Sequence, residues 1–323
     1  MTREQIHLLA SLLVLLPAHS GAAPDDDRPR RGRIERIAHQ YPAMVTVPAG
    51  AFPMGMTEKE REDYLEACEA EMNASDYVCQ EDWFGMRKMT QRMVDLDAFQ
   101  IDRYEVTGAE YRACAAAGGC DIAALVDGDE RYLEDHLPMV NVTWQDAVDY
   151  CAWMGKRLPT EAEWEKAARG EQGRRWPWGN HDRKDGSNHG KIESEAMVRT
   201  HGLLPRKHNR FARLAAEYVP DGSDGHLYAA PPGSYIWGTG PYDTYDMAGN
   251  VSEWVQDFFG AGDFSDLPLQ NPMRAKPTEL ANRTERGGSW AEPKLHGRTY
   301  HRRPGNPDRR SPWRGFRCAR SLD

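Results

Sequence analysis

Residues 155–165 read Gly-Lys-Arg-Leu-Pro-Thr-Glu-Ala-Glu-Trp-Glu, and residues 249–254 read Gly-Asn-Val-Ser-Glu-Trp. The first stretch is a helix start. Thr160 is placed to accept from a backbone N–H of the first turn, and Glu163, three residues on, to reach back to the N-terminal amide. The second is a tight turn running into an aromatic-bearing segment. Working outward, Thr143 with Asp146 begins a helix through Asp-Ala-Val-Asp-Tyr-Cys-Ala-Trp-Met-Gly. Thr107 with Glu110 fits a capping box and begins another through Tyr111 and Cys114. Residues 41–56 read as strand and turn, residues 57–83 as an acidic helix-compatible stretch, and Val94–Ile101 alternates like one strand. From Trp176 onward Gly, Pro, Asn and Trp dominate, which predicts short strands and loops. That much irregular structure calls for disulfides, bound ions or dense aromatic packing.

The 323 residues allow one large domain or about two smaller ones. With 40% hydrophobic residues and ten Trp a packed core is expected, not a disordered chain. The net charge of −9 disfavours a nucleic-acid partner. Charge is unevenly spread: residues 283–323 hold 11 Lys and Arg against 4 Asp and Glu. Such a segment meets an anionic ligand or pairs with the acidic remainder, and pairing is the plainer expectation. No GxSxG elbow and no GxxxxGK[ST] loop occurs.

Residues 1–23 have the layout of a secretory signal peptide: Arg3, an apolar Leu8–Leu16 core, then small residues to Ala23. Residues 24–40 read as a linker, so the expected location is periplasmic or secreted, with no membrane span. The six Cys then lie in an oxidising compartment. Cys114 and Cys120 flank a Gly pair and suit a loop clip, and Cys68 and Cys79 suit a local bridge. Cys151 and Cys318 are left to pair across most of the chain. The absence of any CxxC pair argues against zinc.

Several stretches together resemble the formylglycine-generating enzyme, or sulfatase-modifying factor, family, which includes relatives from ergothioneine and pyoverdine biosynthesis. They are residues 45–55, 99–114, 138–170, 174–180, 242–258, 286–290 and 314–320, in the family's order across roughly 41–321. The resemblance implies a single α+β domain with a C-type-lectin-like core and much irregular structure. It also places Cys151 and Cys318 at a structural disulfide. It implies calcium at Asp246, Gly249, Val251 and Glu253, and at Asn188, His189, Asp224 and His226. Carboxylate, amide and carbonyl oxygens are what that ion takes.

The family's oxidases hold Cu(I) between two thiolates. Here those positions fall on Glu292 and Gly297, so copper is not expected. A second family disulfide falls on Ala168 and Arg302 and is missing too. The three-His pattern of the ergothioneine relatives has no counterpart.

Two functional readings follow. One is an exported, calcium-stabilised module binding a peptide or small molecule, with Trp290, Arg298, Tyr300, Arg302 and Trp313 lining the old substrate groove beside Arg303 and Arg314. The other is a periplasmic oxidoreductase of altered chemistry, like the pyoverdine-maturation relatives, using Ser289, Glu292, His296 and His301. Two His and a carboxylate can also hold iron or copper. The plainer expectation for that stretch is exposed polar residues of a basic loop.

Overall fold

The computed structural model describes residues 44–71, 89–126, 132–192, 218–219, 222–260, 264–277 and 281–322. The leader at 1–23, the linker at 24–40 and Cys79 lie outside the described residues, and so does the Cys68–Cys79 bridge.

The helices begin where threonine chemistry places them. Helix α2 (Gly108–Ala116), α4 (Trp144–Trp153) and α5 (Glu161–Arg169) carry complete capping boxes from Thr107, Thr143 and Thr160. In each, the Thr hydroxyl accepts from the third residue's N–H while that residue's carboxylate takes the Thr N–H. Helix α1 (Glu58–Glu71) starts the same way, with Thr57 N–H on Glu60 Oε2 at 2.9 Å and Glu60 N–H on Thr57 Oγ1 at 3.1 Å. A short α3 spans Ala123–Val126.

Strands are short and fall into small sheets. β1 (Val45–Val47) and the C-terminal β11 (Ala319–Ser321) pair antiparallel on either side of β4 (Phe99–Ile101). β2 (Gly50–Met54) pairs with β3 (Arg92–Leu96). The alternating run 94–101 is therefore two strands in two sheets. The break falls at Asp97, whose N–H and carboxylate are both held by Asn271, at 2.9 and 2.7 Å, leaving no ladder bond to continue β3. A four-stranded sheet follows the order β10-β7-β8-β9. Its members are β7 (Ser252–Phe258), β8 (Arg283–Arg286), β9 (Arg302–Gly305) and β10 (Arg314–Gly315). β5 (Lys191–Ile192) and β6 (Tyr218–Val219) form a hairpin-sized pair.

Helices and small sheets share one α+β fold with two apolar clusters. One gathers Phe52, Phe99, Trp164, Leu295 and Tyr300; the other Tyr111, Tyr150, Trp254, Trp290 and Phe316. Two disulfides brace the second cluster: Cys114–Cys120 and Cys151–Cys318, the latter tying α4 to the end of the chain. Among the described residues no helix is long and apolar enough to cross a membrane.

Candidate functional site

Strand β8 delivers the chain into Gly287-Gly288-Ser289. At Gly288 φ is +68° and a Cβ would meet the His296 carbonyl carbon at 2.8 Å, so only glycine lets these segments touch. The contact brings Ser289 beside the 3₁₀ turn Lys294–Gly297. Ser289 Oγ donates to Glu292 Oε2 at 2.9 Å, and His296 Nδ1 lies 3.4 Å from Glu292 Oε1. Arg303, from β9, donates to the same Oε1 and pairs with Glu285 of β8. The His296 and His301 rings stack with centroids 4.2 Å apart and planes 11° from parallel. Tyr64 of α1 also stacks on His301, with ring centroids 5.9 Å apart.

The four candidate chemical residues thus converge, and all four are buried: Ser289, Glu292, His296 and His301 are at most 3% exposed. That corrects the expectation of an exposed basic loop. The cations of this segment are folded inward because acids from distant elements meet them. Arg286 pairs with Glu161 and Glu165, Arg302 with Glu161, Arg314 with Glu285 and Arg317 with Glu253.

The arrangement restricts the chemistry. The Ser289 hydroxyl gives its hydrogen bond to Glu292 and not to an imidazole, and a carboxylate held at about 2 is a poor base for activating a serine nucleophile. Nitrogen lone pairs lie in the ring plane, and two nearly parallel imidazole planes do not converge on one ion with Glu292. Burial pushes the Glu292 carboxyl up, but Arg303, His296 and the Ser289 hydroxyl outweigh it and hold it at about 2. Burial, reinforced by His296, Arg303, Arg286 and Arg298, pushes His301 well below its usual range, so it is neutral at pH 7.

A pH prediction follows from Glu292. Its folded value, about 2, lies below the usual 4.5. Its contribution is therefore complete above about pH 5 and lost as pH falls toward 2, worth about 3 kcal/mol. Urea midpoints between about pH 6 and pH 2.5 should fall on the acid side in the native protein, and less steeply in Glu292→Gln. Equal slopes would mean that Glu292 is not held ionised.

The residues expected to line a groove are mostly interior. Trp290 stacks on Tyr132 at 5.6 Å and donates its indole N–H to Pro312 O. Tyr300 is fully buried, and Arg302 forks Glu161 at 2.6 and 2.7 Å while donating to Gly260 O. Trp313 is half-buried and Arg298 is 7% exposed.

The two oxygen clusters differ. Asp224 accepts from the N–H groups of His226 (3.1 Å) and His189 (2.8 Å), and its side chain is 1% exposed. The neighbouring Asn188 Oδ1 is buried with no hydrogen-bond partner. An orphaned amide oxygen beside a buried carboxylate fits a calcium ion. At the second cluster the turn is tight: Gly249 has φ +78° and its missing Cβ would lie 1.9 Å from Asn188 O. Both Glu253 oxygens there are occupied, by Arg317 at 2.6 and 2.7 Å and by the Trp164 indole at 2.8 Å. Arg317 supplies the positive charge that a calcium ion would bring, so Glu253 does not fit as a calcium ligand in this arrangement. Asp246 keeps one oxygen on the Gly233 N–H, and its carboxyl is raised to about 6, chiefly by burial.

Sequence reasoning missed Glu105. Its buried carboxylate takes the Asn250 amide at 2.8 Å and the Val251 N–H at 3.2 Å, fixing the turn. No local pattern marks it. Asn250, though in a glycosylation sequon, is fully buried and spends its side chain on Glu105 and Ala230.

Comparison with known proteins bears on this geometry. The sulfatase-modifying factor enzyme 1-like domain matches residues 31–322. A formylglycine-generating enzyme of Streptomyces coelicolor is 36% identical over 190 residues, covering 58% of this chain and 53% of the relative. That of Mus musculus is 28% identical over 301 residues, covering 85% and 74%. Among solved structures, PvdO from Pseudomonas aeruginosa superposes with a TM-score of 0.60 at 26% identity, covering 87% of this chain and 95% of that one. The chain spans between 24% and 74% of the length of the first curated relatives it matches.

Proposed function

The chain belongs to the family of the sulfatase-modifying factor enzyme 1-like domain, and from that premise we propose that it is an exported, calcium-stabilised member that binds a ligand without thiolate–copper oxidation. One observation carries the reading. Where the family's oxidases hold thiols, this chain has Gly297 and a Glu292 locked to Arg303, and none of the described cysteines is a free thiol. A hard carboxylate engaged by a guanidinium is no substitute for a pair of soft thiolates. The N-terminal leader pattern supports export. The unpartnered Asn188 Oδ1 beside Asp224 supports one calcium site, held by those two side chains with the carbonyls of His189 and His226; its role there is to cross-link loops.

The test has two readouts on the full chain. Incubated with copper, oxygen and a cysteine-containing sulfatase peptide, the protein should leave the thiol unchanged by mass spectrometry. Elemental analysis should find about one calcium per chain and no redox metal. Aldehyde formation would overturn the reading. A second reading, an oxidoreductase of altered chemistry, is favoured by the likeness to PvdO and by the buried Ser289–Glu292–His296–His301 cluster. A redox metal at about unit stoichiometry would select it.

A further inference from the structure

Buried arginines in this protein follow a rule. Arg169 pairs with Glu60, Arg286 and Arg302 with Glu161, Arg314 with Glu285 and Arg317 with Glu253. Arg298 breaks it. It is 7% exposed, and among the described residues no carboxylate lies within ion-pair distance of it. Among the described residues its guanidinium makes one hydrogen bond, to the Tyr300 hydroxyl at 3.3 Å, and its Nε is buried with no partner. Two aromatic faces flank the guanidinium: Tyr64 of α1 at 5.6 Å and Trp176 at 5.9 Å. Aromatic faces soften the cost of burying a cation but do not neutralise it.

Among the described residues no free acid serves as its counter-charge. Burial raises the Tyr300 phenol above its usual value, so it stays neutral. On the helix that supplies Tyr64, Glu60 is committed to Arg169 and Asp63 to Arg175, while Glu62 and Glu66 are exposed. Arg298 adjoins the candidate site: it closes the turn Lys294–Gly297 that carries His296, and its positive charge is among those that, with burial, push His301 down. A buried, fork-shaped donor without an acid is built for an anion that arrives from outside.

We propose that Arg298 anchors the carboxylate of an organic ligand in the site framed by Tyr64, Trp176, Tyr300 and His301. This deepens the ligand-binding reading and rests on it. A monoanion is the match in charge: one guanidinium balances one carboxylate, whereas a phosphate dianion would leave a buried negative charge uncompensated. The carboxylate is that of a small organic acid or of a peptide C-terminus, and paired probes separate these sources.

The experiment is calorimetric titration of the full chain with benzoate against benzamide, Gly-Gly-Phe against its C-terminal amide, and inorganic phosphate. At least one acid should bind roughly thirtyfold more tightly than its amide. Binding of benzoate assigns the small acid; binding of the tripeptide alone assigns the peptide terminus. Arg298→Met should abolish that preference and, with no ligand present, melt no lower than the native protein, because it removes an uncompensated buried charge. Arg298→Lys keeps the charge without the fork and should bind the acid more weakly while folding normally. Equal binding of acid and amide, a preference that survives in Arg298→Met, phosphate binding as tightly as the carboxylates, or no binding by any probe overturns the proposal. Those failures are distinct from failure of the broader reading, which the aldehyde and metal assays decide.

Discussion

Replacing both Cys151 and Cys318 by serine should destabilise the protein by roughly 4–5 kcal/mol, among the largest effects open to a surface-neutral change. The bridge spans a sequence separation of 167. Opening so long a loop returns a large conformational freedom to the unfolded chain, which in the chain-entropy account grows with the logarithm of loop length. The native side has little with which to compensate. The C-terminal strand β11 is three residues long and meets only β4 within its sheet. Cys318 precedes it directly, and its N–H and carbonyl are spent on Asp102. Both sulfurs lie in the Tyr150–Phe316 cluster, so the hydroxyls of the serine pair would be buried there as well. Urea denaturation with and without reductant is the measurement. The native protein should lose most of this increment on reduction, and the double variant should be insensitive at that bond. A loss under about 1 kcal/mol would mean that strand pairing alone holds the terminus.

What was legible in the sequence is what is decided locally. A Thr followed three residues later by an acid satisfies two backbone donors within one turn, so α2, α4 and α5 could be placed from Thr107, Thr143 and Thr160. The same signal stands at Thr57 and Glu60, where the surrounding acidic run masks it. The break between β3 and β4 was not readable, because Asp97 is claimed by Asn271, 174 residues away. The site divides in the same way. Ser289, Glu292, His296 and His301 read together as candidates because they sit within one short segment, and the chain does bring them together. Their burial was not foreseeable. It depends on Glu161 and Glu285 reaching the arginines from α5 and β8, and sequence shows the numbers of charges but not their partners. The tendency of the basic C-terminal segment to pair with the acidic remainder is realised at Arg286, Arg302, Arg310 and Arg317, while Arg303 and Arg314 pair with acids of the segment itself. Against that background it becomes visible that, among the described residues, the buried Arg298 has no acid partner.

Breaking the ion network beneath that segment should cost as much as the disulfide. Arg302 occupies one of the two positions where the resemblance places a second family disulfide, the other being Ala168 of α5. In its stead Arg302 forks Glu161 at the start of the same helix, donates to Gly260 O, and lies over the rings of Phe259 and Phe264 at 4.6 and 4.9 Å. Glu161 also takes Arg286 at 2.9 Å, and Arg286 passes on to Glu165 at 2.9 Å. An electrostatic clamp thus joins α5 to β8 and β9 where a covalent link would otherwise run. Because these groups are at most 2% exposed, removing Glu161 strands Arg302 without an acid, and removing Arg302 leaves Glu161 and Glu165 sharing the single charge of Arg286. Arg302→Met and Glu161→Leu should each destabilise by about 3–5 kcal/mol, lowering the melting temperature by on the order of 10 °C. The double variant Glu161→Leu/Arg302→Met separates two explanations. If the cost is that of the stranded charge, the double should lose clearly less than the two singles together, with Arg286 still served by Glu165. If the singles are costly only through lost packing against Phe259 and Phe264, the effects should add, and the clamp would be no more than a space-filling arrangement. Thermal melts of the three variants beside the native protein, at low and high salt, decide it. A deeply buried pair should respond weakly to salt, unlike the exposed Arg183–Asp185 pair, whose side chains are 37% and 59% accessible.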